Sequence, residues 1–99
     1  MKSLVLSQKA ERQLETIFVY VEAKFSERIR KELAKKIYDC FKLIENDPEL
    51  FSFSVHNSSL RKCVVTKNTS VFYQIRKEYI VVVSVFDTRQ NPNKINKTK

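Results

Sequence analysis

The sequence predicts an α+β fold, a two-layer sandwich of order β-α-α-β-β-β, with a helical hairpin packed on a mostly antiparallel four-stranded sheet. Three observations carry this prediction. Apolar residues recur at three- and four-residue spacing through the first half of the chain. Three strand-like runs then fill the stretch from Leu60 to Phe86. A short apolar run, Leu4-Val5-Leu6, precedes the helices and reads as an edge or near-edge strand.

Ser7 follows that run as an N-cap. Leu14, Ile17, Phe18, Val21 and Phe25, led by Ala10, then mark the apolar stripe of a helix over residues 8 to 25. Ser26 and Glu27 open a second helix after a tight break. Its stripe is Ile29, Leu33, Ile37, Cys40, Phe41 and Ile44, and Asp47-Pro48 stops it, because proline lacks the amide donor. Two helices joined this closely fold back as an antiparallel hairpin. Their outer faces mix charge, with Arg28, Lys31 and Lys35 near Glu27, Glu32 and Asp39, the pattern of a solvated surface. Residues 46 to 59 form a polar linker whose Phe51, Phe53 and Val55 are expected to tuck under the sheet. The strands Leu60 to Val65, Ser70 to Ile75 and Tyr79 to Phe86 follow, with turns at Lys67-Asn68 and Lys77-Glu78. The last strand is apolar on both faces, which predicts a central strand covered on both sides. One hairpin supplies only one layer, so the other sheet face is a shallow functional groove or is covered by a partner. Residues 1 to 90 thus make a single domain, and the polar segment 91 to 99 reads as a flexible tail.

Composition narrows the function. Ninety-nine residues with 42% hydrophobic content build one core. Glycine is absent, which excludes Gly-rich phosphate loops. No apolar run approaches the roughly 20 residues that span a bilayer, and the N-terminus lacks the pattern of a signal peptide. No membrane partner is therefore expected. Two cysteines and one histidine give neither a disulfide framework nor a metal-ligand set, so no cofactor is expected. Cys40 and Cys63 are expected to be reduced packing residues of a cytoplasmic protein.

The charge is uneven. The chain carries a net +8, and residues 60 to 99 hold nine Lys/Arg against two Asp/Glu. The excess belongs to the strands and tail, which points to an anionic partner. Arg61 and Lys62 project to opposite faces of one strand, while Lys67, Arg76, Lys77 and Arg89 lie at strand ends. Tyr73 and Tyr79, interleaved with them, are candidates for stacking on bases. Such a set suits RNA phosphates, the acidic segment of a protein, or simple solubility. His56 is a surface-loop residue or a general acid-base candidate, since its ordinary pKa lies near neutrality. Arg89 pairs naturally with Asp87 in a local salt bridge.

This order of elements, with the Leu60-Arg61-Lys62 opening, the Val71-Phe72-Tyr73-Gln74-Ile75 strand and the closing Phe86-Asp87-Thr88-Arg89-Gln90-Asn91-Pro92, resembles the RelE/ParE family of bacterial type II toxins over residues 4 to 95. The resemblance implies a toxin that inhibits growth and is neutralised by a cognate antitoxin, in a toxin-antitoxin hetero-oligomer. A basic chain suits an acidic antitoxin segment and fast, steered association. RelE-like members cut mRNA on the ribosome, using an arginine in the middle strand and an arginine and tyrosine near the C-terminus. Here Ser70 occupies the middle-strand position, Arg89 matches the C-terminal arginine, and Ile95 stands where the tyrosine is sought. Two expected participants are missing. ParE-like members inhibit DNA gyrase by binding, and the residues lean that way.

The alternative is a ribosome-dependent ribonuclease in which Lys62, Lys67, Arg76 and Arg89 hold phosphate and transition-state charge, with His56 or Tyr73 moving protons. As a binding toxin, the chain would engage antitoxin or target through Arg61, Lys62, Lys67, Arg76, Lys77 and Arg89. A small basic RNA-binding domain and an inactive toxin are further readings.

Overall fold

The computed structural model describes residues 2 to 89, so the expected tail at 91 to 99 falls outside the described residues. The elements run β1 (Ser3–Leu6), α1 (Gln8–Lys24), α2 (Glu27–Asn46), β2 (Arg61–Val64), β3 (Thr69–Ile75) and β4 (Tyr79–Asp87). They form one four-stranded sheet of spatial order β1-β4-β3-β2, with the helices on one face. β1 pairs parallel with β4, while β2–β3 and β3–β4 are antiparallel.

Both helices start as the sequence predicts. The Ser7 hydroxyl accepts from the Ala10 N–H at 3.0 Å, and the Ser26 hydroxyl accepts from the Ile29 N–H at 3.1 Å. Arg30 ties α2 back to α1 through Glu22, 2.7 Å away. Ile17 and Val21 of α1 and Leu33, Ile37 and Ile44 of α2 pack on Val71, Tyr73, Ile80, Val82 and Val85 of the sheet. That interlayer seam is the core.

β4 is central, as its apolar run predicts. Its β1-side edge is longer than β1, however, and the remaining ladder groups need other partners. α1 supplies them: the Ser7 N–H and hydroxyl bind the Val82 and Val83 carbonyls at 3.0 and 2.9 Å, and Gln13 Oε1 accepts from the Val85 N–H at 2.8 Å. A bulge opposite Phe72/Tyr73 leaves Val83 as an extra residue, so Val82 and Val85 both face the helices.

The structure corrects three expectations. β4 is covered on the helix face alone among the described residues, because no second layer lies on Val81 and Phe86, both only half-buried. Phe25 caps α1 with its ring half-exposed, since the chain leaves the helical path there. Phe51 packs against the core, but Phe53 is half-exposed and Val55 is 92% exposed, at the tip of the linker. Cys40 and Cys63 fill the core as packing residues, and their sulfurs meet between α2 and β2. Cys40 belongs to the inward stripe of α2, and the β2–β3 register turns Cys63 toward it. Their separation of 23 residues carries no sign of this.

Candidate functional site: an open sheet face and two charged ends

The sheet face opposite the helices is built by the alternation that fills the core. In register across the strands lie Val5, Val81 and Gln74, then Ser84, Phe72 and Lys62, then Phe86, Ser70 and Val64. This face is mainly apolar, and Val64 is 60% exposed. Its charged member in these rows is Lys62, whose Nζ lies 5.8 Å from the centroid of the Phe72 ring. Ser70 stands between Val64 and Phe86.

One end of the sheet carries Lys67 and Arg89. Asp87 there is buried, with its side chain wholly inaccessible. Its carboxylate accepts from the Thr69 hydroxyl at 2.8 Å, from the Arg89 N–H at 2.9 Å, and from Arg89 Nε and Nη2 at 3.2 and 2.9 Å. Burial works to raise the Asp87 pKa. The Arg89 side chain, the Thr69 hydroxyl and the Arg89 amide together outweigh it and hold the carboxyl below its ordinary value. The hydrogen bond to Asp87 in turn raises the Arg89 pKa. The guanidinium also lies 5.3 Å from the Phe25 ring centroid. Arg89 is thus a clamp on the fold. Lys67 occupies the adjoining turn and is exposed, while the neighbouring Asn68 is fastened to Thr88 by two hydrogen bonds of 2.8 and 3.0 Å.

Arg61, Arg76 and Lys77 lie at the other end. Arg61 faces the same side as Tyr73, and Lys62 the opposite side. The Arg61 guanidinium sits over the Phe53 ring, 4.2 Å from its centroid, and Nη1 donates to the Phe51 carbonyl at 2.8 Å. Tyr73 is fully buried, and its hydroxyl donates to the Pro48 carbonyl at 2.6 Å. Burial raises its pKa, only partly offset by the Arg61 charge and the Phe51 backbone. The phenol therefore stays protonated and its ring faces cannot stack on a base. Tyr79 keeps an exposed ring, and His56 is exposed near the linker tip.

The sequence-derived candidates thus separate into three places: Lys62 on the open face, Lys67 and Arg89 at one end, and Arg61, Arg76 and Lys77 at the other. Among the described residues no group of His, Cys, Asp and Glu is placed to hold a metal. Sequence reasoning missed a notch of about 500 Å³ where Phe53, Ser59 and Gln74 join Arg61 and Arg76. Its one local signal was the linker aromatic Phe53, two residues from Phe51 but left at the surface.

A family profile described as the ParE toxin of the type II toxin-antitoxin system, parDE, matches residues 4–92. The chain belongs to this ParE toxin family. Solved structures share its fold. The ParE-family chain superposes on one from the chromosomal ParDE TA system of P. aeruginosa with a TM-score of 0.76 at 14% identity, covering 88% of this chain and 96% of that one. YafQ from E. coli strain BL21(DE3) gives a TM-score of 0.62 at 7% identity, covering 91% and 97%. HP0894 from Helicobacter pylori gives 0.58 at 12%, covering 90% and 97%. At these identities the likeness is one of fold. No curated protein matches the sequence. No helix among the described residues is long and apolar enough to cross a membrane.

Proposed function

We propose that this ParE-family chain is the toxin half of a cytoplasmic toxin-antitoxin module, that it arrests bacterial growth by binding DNA gyrase, and that a cognate antitoxin neutralises it. Family membership supports the toxin reading. Complexes among similar structures, ParDE from P. aeruginosa and DinJ–YafQ from E. coli, support a hetero-oligomer with an antitoxin.

The observation that carries the mechanism is the makeup of the open face. Ser70 lies there between Val64 and Phe86, at the position where the resemblance places a nuclease arginine. A neutral hydroxyl between two apolar side chains gives a pentacoordinate phosphate no charge stabilisation. Tyr73 has its phenol committed to Pro48, and Arg89 has its guanidinium committed to Asp87. Such a face suits contact with a protein surface.

The alternative, ribosome-dependent mRNA cleavage, has Lys62 in its favour, since that ammonium does reach the open face. Induced expression followed by primer extension on cellular mRNA, alongside supercoiling by purified gyrase, separates the two. Growth arrest with intact messages and blocked supercoiling is the expected result. New cleavage sites inside translated codons, with supercoiling unaffected, would replace this reading by the ribonuclease one.

A further inference from the structure

We propose that the notch between the start of β2 and the end of β3 seats a carboxylate side chain of an extended acidic peptide. The proposal rests on the toxin reading and adds the docking point and chemistry of its neutralising partner. β2 begins with Arg61 opposite Tyr73, whereas β3 continues through Gln74 and Ile75. Those two residues pair with Val81 and Ile80 of β4 on one side and lie beyond β2 on the other. An extended chain laid along that stretch meets a strand edge, the geometry of β-strand addition.

The side chains around this edge are arranged for a carboxylate. Arg61 is fixed by its stack on Phe53, and its recorded hydrogen bonds, to the Phe51 and Glu49 carbonyls at 2.8 and 3.5 Å, all leave from Nη1. Its Nε–Nη2 edge remains for a bidentate partner. Arg76 is exposed, but its backbone is pinned on both sides: its N–H binds the Tyr79 carbonyl at 2.8 Å, and its carbonyl accepts from the Lys2 ammonium at 2.6 Å. Neither Arg61 nor Arg76 forms an ion pair among the described residues.

Gln74 adds an amide whose N–H reaches the Ser59 oxygen at only 3.5 Å, a weak bond that an incoming carboxylate replaces readily, while the Ser59 proton is held by Asn57 at 2.6 Å. Ile75 and the Phe53 ring supply apolar wall, and the notch holds about 500 Å³, room for side chains of a peptide. Glu49 on the same rim opposes carboxylate and phosphate alike and does not choose between them. The strand edge and the apolar wall of Ile75 and Phe53 suit a peptide that carries apolar residues between its carboxylates, and offer nothing to a phosphate chain. The observations therefore favour peptide over nucleic acid.

The test is calorimetric titration of the purified full chain with an acetylated, amidated peptide alternating Glu and Leu, with and without an oligouridylate competitor of equal charge. Saturable binding is expected. Arg76→Gln weakens it about tenfold, as loss of a charge-assisted hydrogen bond does. Arg76→Lys recovers only part, and Lys67→Gln at the far end changes it less than about twofold. Arg76 is exposed, so its variants fold even if Arg61→Gln does not. Equal losses in Arg76→Gln and Lys67→Gln, no saturable binding, or displacement by the oligouridylate would each overturn the proposal. Gyrase plays no part in the titration, so a failed supercoiling assay and a failed titration tell against different claims.

Discussion

Asp87 ionises inside the protein because the Thr69 hydroxyl and three donors of Arg89 converge on it. Its folded pKa lies below the unfolded one, so its stabilisation is complete above the unfolded value, about 3.9. It is lost as pH falls through the folded value. Asp87→Asn is expected to destabilise by about 2–3 kcal/mol near neutrality, breaking a buried ion pair whose arginine is partly solvated. The difference from the parent should shrink in denaturant melts below about pH 4; a pH-independent difference would remove the carboxylate from the explanation. Tyr73 has the opposite linkage. Its raised pKa favours the neutral phenol, so stability holds below the unfolded value of about 10 and falls as pH rises through the folded one. Tyr73→Phe is expected to cost about 1 kcal/mol in a denaturant melt and to flatten that alkaline decline. At this scale the sequence was half legible. Asp87 and Arg89 sit two residues apart at a strand end, and their pairing was read from that spacing alone. The Tyr73 partner, Pro48, is 25 residues away across the linker, and nothing in the strand pattern announces it.

Elements were more legible than residues, since they follow from periodicity and caps. Ser7, Ser26 and Asp47-Pro48 set the helix limits within a residue or two of those observed. Alternation failed where tertiary structure interrupted it. The bulge at Phe72/Tyr73 inserts Val83 into β4, so its inward and outward residues change phase along the strand. The longer β4 edge explains two differences expected on mutation. Ser7→Ala should destabilise more than Ser26→Ala, which costs about 1 kcal/mol, because Ser7 also binds the Val83 carbonyl. Gln13→Leu should cost about 1–3 kcal/mol by leaving the part-buried Val85 N–H without its acceptor. Chemical denaturation of the three variants checks the order, and amide exchange at Val85 reports its loss of protection directly. The meeting of Cys40 with Cys63 was illegible for a related reason: it depends on strand register, which single-sequence patterning does not determine.

For the molecule as a whole, the two-layer architecture was readable, and with it the open second face of the sheet, since one helical hairpin covers only one face. The apolar last strand, read by itself, suggested cover on both sides; in the assembled order β1-β4-β3-β2 it is covered on the helix face alone among the described residues. The net charge of +8 makes a prediction at this scale: association with an acidic peptide should slow markedly between low and physiological salt, while dissociation changes little. Stopped-flow measurement across ionic strength checks it, and a salt-insensitive on-rate would rule out steering. The parallel pairing of β1 with β4 has another consequence, in time rather than in space. Leu6 pairs with Val82, so the strand synthesised first is completed by the strand synthesised last. At roughly 5–20 residues per second, β1 waits about 4 to 15 seconds for its partner. Until then the sheet has neither its centre nor its open face. A chain that stalls in the linker or in β3 therefore lacks the open face proposed to meet the target, and the toxin is harmless until the final strand emerges.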